Sequence, residues 1–333
     1  MDNLENLIAE IKGLRVGIIG DIMLDHYIWG DATRISPEAP VPVIDVCRDS
    51  YTPGGAANVA LNVASLGGKA VLLGRTANDD AGAQLSATLH AAGVSYDPRL
   101  TRNEAPTIVK TRIVVRNQQL CRVDREQAPS EYSLEDDDNI WHVVEEKLKY
   151  VDAVIFSDYS KGIITSSLVE RVQNALEGKK VFLSMDPKPR RRIKFSGLDL
   201  MTPNRLESIA LSRIELEPHD PFPAHDICQS LWTQYKTKHL IITLGGDGML
   251  LSEKGNSLKC IPTVAREVYD VSGAGDTVVA ALTMTLARNV TLEDAAHFSN
   301  LAAGVVVSKV GTATATPAEI INYAAAEEGG VLV

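Results

Sequence analysis

The distribution of apolar residues predicts alternating helices and strands along most of the chain. Residues 4–11 place apolar side chains on one helical face, and residues 15–19 form a short apolar run that ends at Gly20 and Asp21. Such a run is typical of a buried strand in a parallel sheet. The alternation is clearest after residue 150, with predicted strands at 153–156, 181–185 and 240–244 and predicted helices at 166–176 and 292–307. This pattern indicates an α/β fold.

Small or polar residues follow the predicted strands. Asp158 comes after one strand, Asp186 after another and Gly245 after a third. Because the carboxyl ends of parallel strands meet at one edge of a sheet, where open α/β sheets bind ligands, we expect these residues to lie near a ligand. Asp21 and Asp25 follow the first strand and belong to the same group, although Asp21 is equally explained as a turn residue.

Two extended segments interrupt the alternation. Residues 36–46 are rich in proline, which excludes a helix and permits an edge strand, and residues 107–124 have the alternating character of a β-hairpin. Neither is followed by a helix, so we expect a small separate sheet, formed by about 22–47 and 105–126, that covers one mouth of the site. Its apolar back face needs a partner, which predicts a homodimer through this sheet.

The octapeptide at residues 270–277, Asp-Val-Ser-Gly-Ala-Gly-Asp-Thr, precedes a predicted helix. Gly273, Ala274 and Gly275 leave main-chain N–H groups uncovered at the positive end of that helix, which favours an anion. A carboxylate at Asp276 would repel a simple phosphate ligand. It suits a base that deprotonates an attacking hydroxyl while the amides stabilise a transferring phosphoryl group. The alternative is a glycine-rich helix start with an N-terminal acid.

Two further motifs also have structural alternatives. Gly54, Gly55 and Asn58 precede a predicted helix; they allow close approach to the hydroxyl groups of a ligand, or form a glycine turn followed by a helical asparagine. Asn204 and Glu207 lie three residues apart at a helix start. A carboxylate there can hold magnesium through water, or the pair can form a capping box.

The turn at residues 243–248 follows a strand, and it can line a nucleotide, form a tight hairpin turn, or do both. Lys161 and Lys188 each follow an acid at the end of a predicted strand. They can neutralise a substrate phosphate or form surface ion pairs.

Composition narrows the class of protein. The chain has 333 residues, enough for one large α/β domain or two smaller ones, and its net charge of -10 argues against nucleic-acid or anionic-membrane partners. The N-terminus lacks the basic start of a signal peptide and the four cysteines show no metal-type spacing, so we expect a cytoplasmic protein. Walker-type and dinucleotide-binding glycine motifs are absent from the sequence. Magnesium-assisted phosphoryl transfer without such a loop fits these features best.

Together these motifs resemble the ribokinase-like (PfkB) carbohydrate kinases over nearly the whole chain. The paired glycines with Asn58 resemble that family's N-terminal signature, and residues 270–277 its C-terminal signature. The resemblance implies a ribokinase-like three-layer αβα sandwich with a mostly parallel central sheet and a small β lid, in a single domain over residues 1–330. It also implies ATP, Mg²⁺ and a monovalent cation such as K⁺ as cofactors.

The resemblance implies a role for each motif residue. Asp276 would be the catalytic base, Glu207 would help to hold Mg²⁺ through water, and Asp270 with the 308–312 loop would be the candidate for the monovalent cation. The anion hole would be Gly273, Ala274 and Gly275. The other implied contacts are Asp21, Asp25, Gly54, Gly55, Asn58, Arg122, Lys161, Asp186 and Lys188 for the sugar phosphate, and Asn204, Thr243, Gly245, Gly248 and Asn300 for the nucleotide.

Within the family, residues 20–25, 34–43 and 120–124 are most similar to the branch that phosphorylates O1 of D-glycero-β-D-manno-heptose 7-phosphate during ADP-heptose and lipopolysaccharide synthesis. Many bacteria fuse that kinase to an adenylyltransferase, and the length of this chain predicts a stand-alone kinase. Pro189 stands where the resemblance leads us to expect glycine. A PfkB-type kinase for a hexose phosphate or a nucleoside would share every general motif, and a non-catalytic sugar-phosphate sensor is the alternative outside enzymes.

Overall fold

The structure is a computed structural model that describes residues 2–328 apart from 117, 192, 218, 266 and 267, so the outermost residues of the expected 1–330 domain lie outside it. The strands within these residues are, in chain order, β1 (Arg15–Gly20), β2 (Ile22–Ile35), β3 (Pro42–Gly55), β4 (Lys69–Leu73), β5 (Ser95–Tyr96), β6 (Ile108–Val115), β7 (Gln118–Arg125), β8 (Ala153–Ser157), β9 (Phe182–Asp186), β10 (Leu200–Met201), β11 (His239–Thr243), β12 (Met249–Glu253) and β13 (Asn256–Ile261). The helices are α1 (Asp2–Ile11), α2 (Ala56–Ser65), α3 (Asp80–Ala91), α4 (Asp138–Leu148), α5 (Ser166–Ala175), α6 (Arg205–Ser212), α7 (Ala224–Tyr235), α8 (Ala274–Leu286), α9 (Leu292–Val307) and α10 (Pro317–Glu328).

The central sheet has nine strands in the order β13-β12-β11-β10-β9-β8-β1-β4-β5. The pairings from β5 through β11 are parallel, while β12 and β13 are added antiparallel at one edge. The order of strands reverses at β1, which lies between β8 and β4. In a doubly wound sheet the crevice at the carboxyl ends near such a point is the usual place for a ligand.

Helices cover both faces of this sheet and make three layers. Along β8 the residues alternate between the two cores, with Ile155 facing α2 and α8 and with Phe156 facing α4 and α5. Both side chains are fully buried. A strand buried on both faces has a continuous apolar sequence, which is why β1 and β8 are recognisable from sequence alone.

A second sheet of four strands, in the order β3-β2-β6-β7, stands apart from the central one. Strand β2 begins at Ile22, immediately after Asp21, and β3 leads directly into α2. Strand β3 continues to Gly55, beyond the boundary of about 47 expected from the sequence. The reason is the antiparallel register, which pairs Ile22 with Gly55, so that β3 must return the full length of β2 to reach the central sheet.

Two other expectations concern turns and membrane segments. Residues 243–248 connect the antiparallel strands β11 and β12, as the hairpin interpretation predicts. Gly248 has φ +94°, and a Cβ there would lie 1.9 Å from the carbonyl oxygen of Ile261, so this turn requires glycine. Among the described helices, none combines the length and apolar character needed to span a lipid bilayer.

Candidate active site

Asp276 lies in the first turn of α8, at the carboxyl edge of the central sheet. The helix is preceded by Gly273 in the left-handed conformation (φ 82°), and a Cβ at this position would lie 2.8 Å from Nδ2 of Asn58. Gly275 faces open space: outside its chain neighbours and the adjoining backbone of its own helix, no atom lies within 4 Å of the position that a Cβ would take. The first turn of α8 therefore leaves room for a ligand beside a nearly buried carboxylate, which is 6% exposed.

Both carboxylate oxygens of Asp276 accept hydrogen bonds. Asn58 donates from Nδ2 to Oδ2 at 2.7 Å, and the Tyr159 hydroxyl donates to Oδ1. Burial raises the pKa of Asp276, and these two donors act in the opposite direction. Burial and the neighbouring carboxylates raise the pKa of Tyr159 well above its usual value, so the phenol keeps its proton and remains a donor.

Asn58 is oriented by a second layer of bonds. Asn62 donates from Nδ2 to the carbonyl oxygen of Asn58 at 2.9 Å and lies 3.4 Å from its Oδ1, and Asn62 in turn accepts from the Thr277 hydroxyl at 2.7 Å. The side-chain oxygen of Asn58 therefore faces Asn62 and its amino group faces Asp276. The structure places Asn58, which the resemblance assigns to the sugar, against the carboxylate of Asp276.

Asp21 is fully buried at the end of β1. Its carboxylate accepts main-chain N–H bonds from Tyr159 and Lys161, both at 2.9 Å, and from Ile163 at 3.0 Å. Burial raises the pKa of Asp21 against these three donors. These contacts hold the loop after β8 and thereby position Tyr159. Because both oxygens of Asp21 already accept main-chain bonds, they do not favour the expected contact with a sugar hydroxyl, which stays a prediction.

A second group of charges lines the cavity next to Asp276. Lys188 bonds to Oε1 of Glu207 at 2.6 Å and lies 3.4 Å from Oδ2 of Asp186. Burial raises the pKa of Asp186 to about 7, partly offset by Lys188. The two carboxylates raise the pKa of Lys188 despite its burial. The cavity encloses about 100 Å³ and is lined by Tyr159, Asp186, Lys188, Thr202, Asn204, Glu207, Thr243, Gly273, Gly275, Asp276 and Val278.

Asn204 and Glu207 form the capping box that their spacing allows. Oδ1 of Asn204 accepts from the Glu207 N–H at 2.9 Å, and Oε2 of Glu207 accepts from the Asn204 N–H at 2.8 Å. Both oxygens of Glu207 are thus engaged, one by the cap and one by Lys188. No group of three or more His, Cys, Asp or Glu residues within the described part of the chain could hold a metal directly. The expected role of Glu207 in holding magnesium through water stays a prediction.

Of the other residues assigned to the nucleotide or to a cation, Thr243 lines this cavity, whereas Gly245, Gly248, Asn300 and Asp270 do not. Thr243 forms a parallel bridge with Asn204, and Gly245 starts the turn that follows. Asn300 is buried and donates to the carbonyl oxygen of Pro262 at 2.6 Å. Asp270 bridges two loops, because its oxygens accept from the N–H of Ser272 at 2.8 Å and of Gly311 at 3.2 Å.

On the second sheet, Asp25 lies against the paired glycines. Arg112 donates to Oδ1 of Asp25 at 2.5 Å. A Cβ at Gly54 would lie 2.3 Å from Oδ2 of Asp25, and one at Gly55 would lie 2.4 Å from the carbonyl oxygen of Asp21. Both positions therefore require glycine, because the Asp25 carboxylate packs against Gly54 and the Asp21 main chain packs against Gly55. Their expected role in sugar binding stays a prediction.

Two of the predicted phosphate-binding cations already have partners. Lys161 forms an ion pair with Glu126, and Arg122 forms a two-bond pair with Asp124 at 2.8 and 2.9 Å. The side chain of Arg122 is 50% exposed. Neither cation lines the cavity around Asp276.

Comparison with known proteins decides the family. The profile of the pfkB family of carbohydrate kinases matches residues 15–319. The chain belongs to the PfkB family. It is a carbohydrate kinase with a ribokinase-like α/β fold.

Individual relatives agree with this PfkB assignment. A bifunctional protein HldE from Helicobacter hepaticus is 39% identical over 315 residues, which cover 94% of this chain and 64% of that protein. The chain thus spans less than two thirds of this relative's length. Phosphofructokinase-2 from Escherichia coli, solved in complex with potassium, has a TM-score of 0.72 at 18% identity and covers 95% of this chain and 99% of its own. Ribokinase from Thermotoga maritima has a TM-score of 0.73 at 21% identity, with coverage of 94% and 99%.

In this PfkB kinase, the cavity brings together most of the residues expected around the transferred phosphoryl group. Sequence reasoning missed three residues near them: Tyr159, Lys110 and Arg112. Lys110 and Arg112 lie two residues apart in a predicted strand, so the sequence could have predicted that both side chains point to the same face of the sheet. Tyr159 follows a strand-ending acid, but nothing in the sequence shows that its hydroxyl reaches Asp276.

Proposed function

We propose that the chain uses ATP to phosphorylate O1 of D-glycero-β-D-manno-heptose 7-phosphate, giving the 1,7-bisphosphate that leads to ADP-heptose and the lipopolysaccharide core. The observation that carries this proposal is Asp276, held by Asn58 and Tyr159 beside the open first turn of α8. The HldE relatives support a heptose phosphate as the acceptor. Another PfkB-type kinase, acting on a hexose phosphate or a nucleoside, is the second candidate, since the general motifs suit it equally.

In the proposed reaction Asp276 removes the proton from the attacking sugar hydroxyl. Its raised pKa makes it a better base than an exposed carboxylate. The attacking oxygen then bonds to the terminal phosphorus of ATP, and ADP leaves with the electron pair of the broken P–O bond. The N–H groups of Gly273, Gly275 and Asp276 would face the charge that spreads over the transferred group. The N–H of Ala274 donates to the carbonyl oxygen of Val271 at 3.3 Å, so it contributes to this anion hole only if that bond opens.

The remaining residues bind and orient. Lys188 supplies positive charge next to the cavity, and Asp25 is placed to accept from a sugar hydroxyl. Asp21 acts through Tyr159, which makes it a positioning residue. When bound, magnesium would neutralise the nucleotide phosphates, with Glu207 contributing through water. Asp270 and the 308–312 loop are proposed for K⁺, supported by the tie from Gly311 to Asp270 and by the potassium complex of the phosphofructokinase-2 neighbour.

We also propose that residues 1–330 form one kinase domain whose second sheet acts as a lid and as a homodimer contact. Leu120 and Val123 of β7 are 51% and 56% exposed, and β7 is an edge strand. Exposed apolar side chains beside an unpaired strand edge are typical of a contact surface.

A panel of acceptors tests the proposed function with the full chain, ATP and Mg²⁺. Formation of ADP is followed by a coupled assay with the heptose 7-phosphate, fructose 6-phosphate, ribose and adenosine, and phosphorus NMR identifies the product. We expect the heptose 7-phosphate to have the highest kcat/KM and to yield a phosphate on O1. A higher kcat/KM with the hexose phosphate or the nucleoside would reject the heptose assignment, and ADP formation with none of the acceptors would reject a sugar kinase acting on this panel.

A further inference from the structure

One face of the second sheet carries an ordered row of charged side chains. In the strand register, Asp25 of β2 is paired with Lys110 of β6, and Lys110 is paired with Asp124 of β7. Paired positions point to the same face of a sheet. Two residues further along, Arg112 is paired with Arg122, and because side chains repeat every second residue this pair lies on the same face.

This face is turned towards the catalytic carboxylate. Nζ of Lys110 lies 5.7 Å from the centre of the Tyr159 ring, and the hydroxyl of that ring donates to Asp276. Nζ of Lys188, which forms an ion pair with Glu207, lies 5.6 Å from the same ring centre. The Tyr159 ring therefore lies near two lysines: Lys110 from the second sheet and Lys188 from the cavity lining.

The charges on this face do not all pair. Arg112 is bonded to Asp25, Arg122 to Asp124, and Lys161 to Glu126. Among the described residues, Lys110 has no hydrogen bond or ion pair with an acid, although Asp25 is its neighbour in the register. Desolvation lowers the pKa of Lys110, the carboxylate of Asp25 acts in the opposite direction, and Lys161, Arg112 and Arg122 add to the lowering. The nearest carboxylate, Asp25, is already bonded to Arg112, and a half-buried ammonium that shares its one acid with other cations is costly unless a further anion joins it.

We propose that Lys110 binds the phosphate group that the acceptor sugar already carries. This inference rests on the proposed function only in requiring a phosphorylated acceptor. A phosphate monoester carries close to two negative charges and three strong acceptor oxygens, which suits one free ammonium beside paired arginines. The lid position of Lys110, one tyrosine ring away from Asp276, places this phosphate at the end of the acceptor opposite the reacting hydroxyl. Lys110 is then the residue that distinguishes a phosphorylated sugar from a free one.

The test compares Lys110→Met with the wild-type chain on pairs of acceptors that differ only in the phosphate: heptose 7-phosphate against heptose, and fructose 6-phosphate against fructose. We expect kcat/KM for the phosphorylated member to fall about 10- to 100-fold, the effect of losing a charge-assisted contact, chiefly through KM. Activity on the free sugar and the KM for ATP should change less than about threefold. Binding of heptose 7-phosphate without ATP, measured by calorimetry, should weaken by the same factor.

Lys110→Arg, which keeps the charge, should recover most of the preference for the phosphorylated member. Arg34→Met removes an exposed cation of the same sheet, whose side chain is 68% exposed, and should leave the preference intact. Thermal unfolding of each variant separates a folding defect from a binding defect, and Lys110→Gln repeats the test if the methionine variant is unstable. An unchanged ratio between the paired acceptors, or a loss confined to the KM for ATP, would overturn the proposal. The ratio of kcat/KM between the phosphorylated and the free sugar can be measured with either sugar pair. A failure of this inference can therefore be told apart from a failure of the heptose assignment.

Discussion

At the scale of single residues, the main feature is the environment of Asp276. Burial makes its carboxylate more basic, whereas the bonds from Asn58 and Tyr159 make it less basic and hold it in one orientation. The net effect is a pKa above the usual value for an aspartate, which favours the proposed role of Asp276 as a general base.

Replacing Asp276 with Asn removes the base while keeping the size of the side chain. We expect kcat to fall about 10²- to 10⁴-fold, the usual contribution of a general base. Stabilisation of the protein by ATP, measured as a shift in thermal unfolding, should persist. Asp226→Asn is the matched control, because Asp226 is also an acid in the first turn of a helix but is exposed. A kcat within about tenfold of wild type would contradict the role of Asp276.

Replacing Tyr159 with Phe removes one of the two donors. The Tyr159 hydroxyl lowers the pKa of Asp276, so its loss should raise that pKa further. Asp276 must be deprotonated to act, and the acidic limb of the kcat/KM profile should therefore move to higher pH, with the largest loss of activity at low pH.

Tyr96→Phe is the control for Tyr159→Phe, since the Tyr96 hydroxyl is hydrogen-bonded to Thr76 at 2.9 Å, away from the residues that line the cavity. This control should leave the limb in place. An acidic limb that stays fixed or moves to lower pH in Tyr159→Phe would show that the hydroxyl does not stabilise the ionised carboxylate.

At the scale of elements, apolar periodicity predicts the buried elements well. The range 292–307 predicted for a helix is the range of α9, and β1 and β8 differ from their predicted ranges by one residue. The far end of β3 was not predictable in the same way, because its length is set by pairing with β2 and its own residues 45–50 are mixed in character. The candidate site shows the same division. The octapeptide is one continuous stretch and can be recognised in the sequence, whereas the contact from Tyr159 to Asp276 joins residues 117 positions apart and depends on the fold.

The start of α6 offers a prediction about stability. Asn204→Ala removes the side-chain acceptor for the Glu207 N–H and should lower the free energy of unfolding by about 0.5–2 kcal/mol, as measured by urea denaturation. Asn204→Ser is the matched control, because serine is also a good N-cap residue, and it should recover most of the loss. Equal stability of the alanine variant and the wild type would mean that the cap contributes nothing.

At the scale of the whole molecule, buried acids gather at the carboxyl edge of the sheet. Burial raises the pKa of Asp158 to about 6 and that of Asp186 to about 7. Because the folded state then holds these protons more tightly than the unfolded state, both groups lower the free energy of unfolding as the pH rises from about 4 through about 7. Grouping acids at a binding edge therefore costs stability at neutral pH.

Asp186→Asn should remove its part of this pH dependence. We expect the difference in the free energy of unfolding between variant and wild type to shift in favour of the variant as the pH rises from about 5 to about 8, measured by urea denaturation without ligands. Contributions from groups that do not interact with Asp186, such as His239, are common to both proteins and cancel in the difference. A difference that stays constant over this interval would contradict the raised pKa of Asp186.

The direct joining of β1 to β2 at Asp21, and of β3 to α2 at Gly55, has an evolutionary consequence. Under the proposed function, phosphoryl transfer and choice of acceptor occupy separate stretches of polypeptide. The octapeptide and the capping box belong to the αβα layers, whereas Asp25, Lys110 and Arg112 lie on strands inserted between them. Duplicated genes can diversify the spliced strands and acquire new sugars while inheriting an untouched phosphoryl-transfer apparatus. A chimaera that receives residues 22–55 and 108–125 from a fructose 6-phosphate kinase should accordingly inherit the donor's sugar preference along with them.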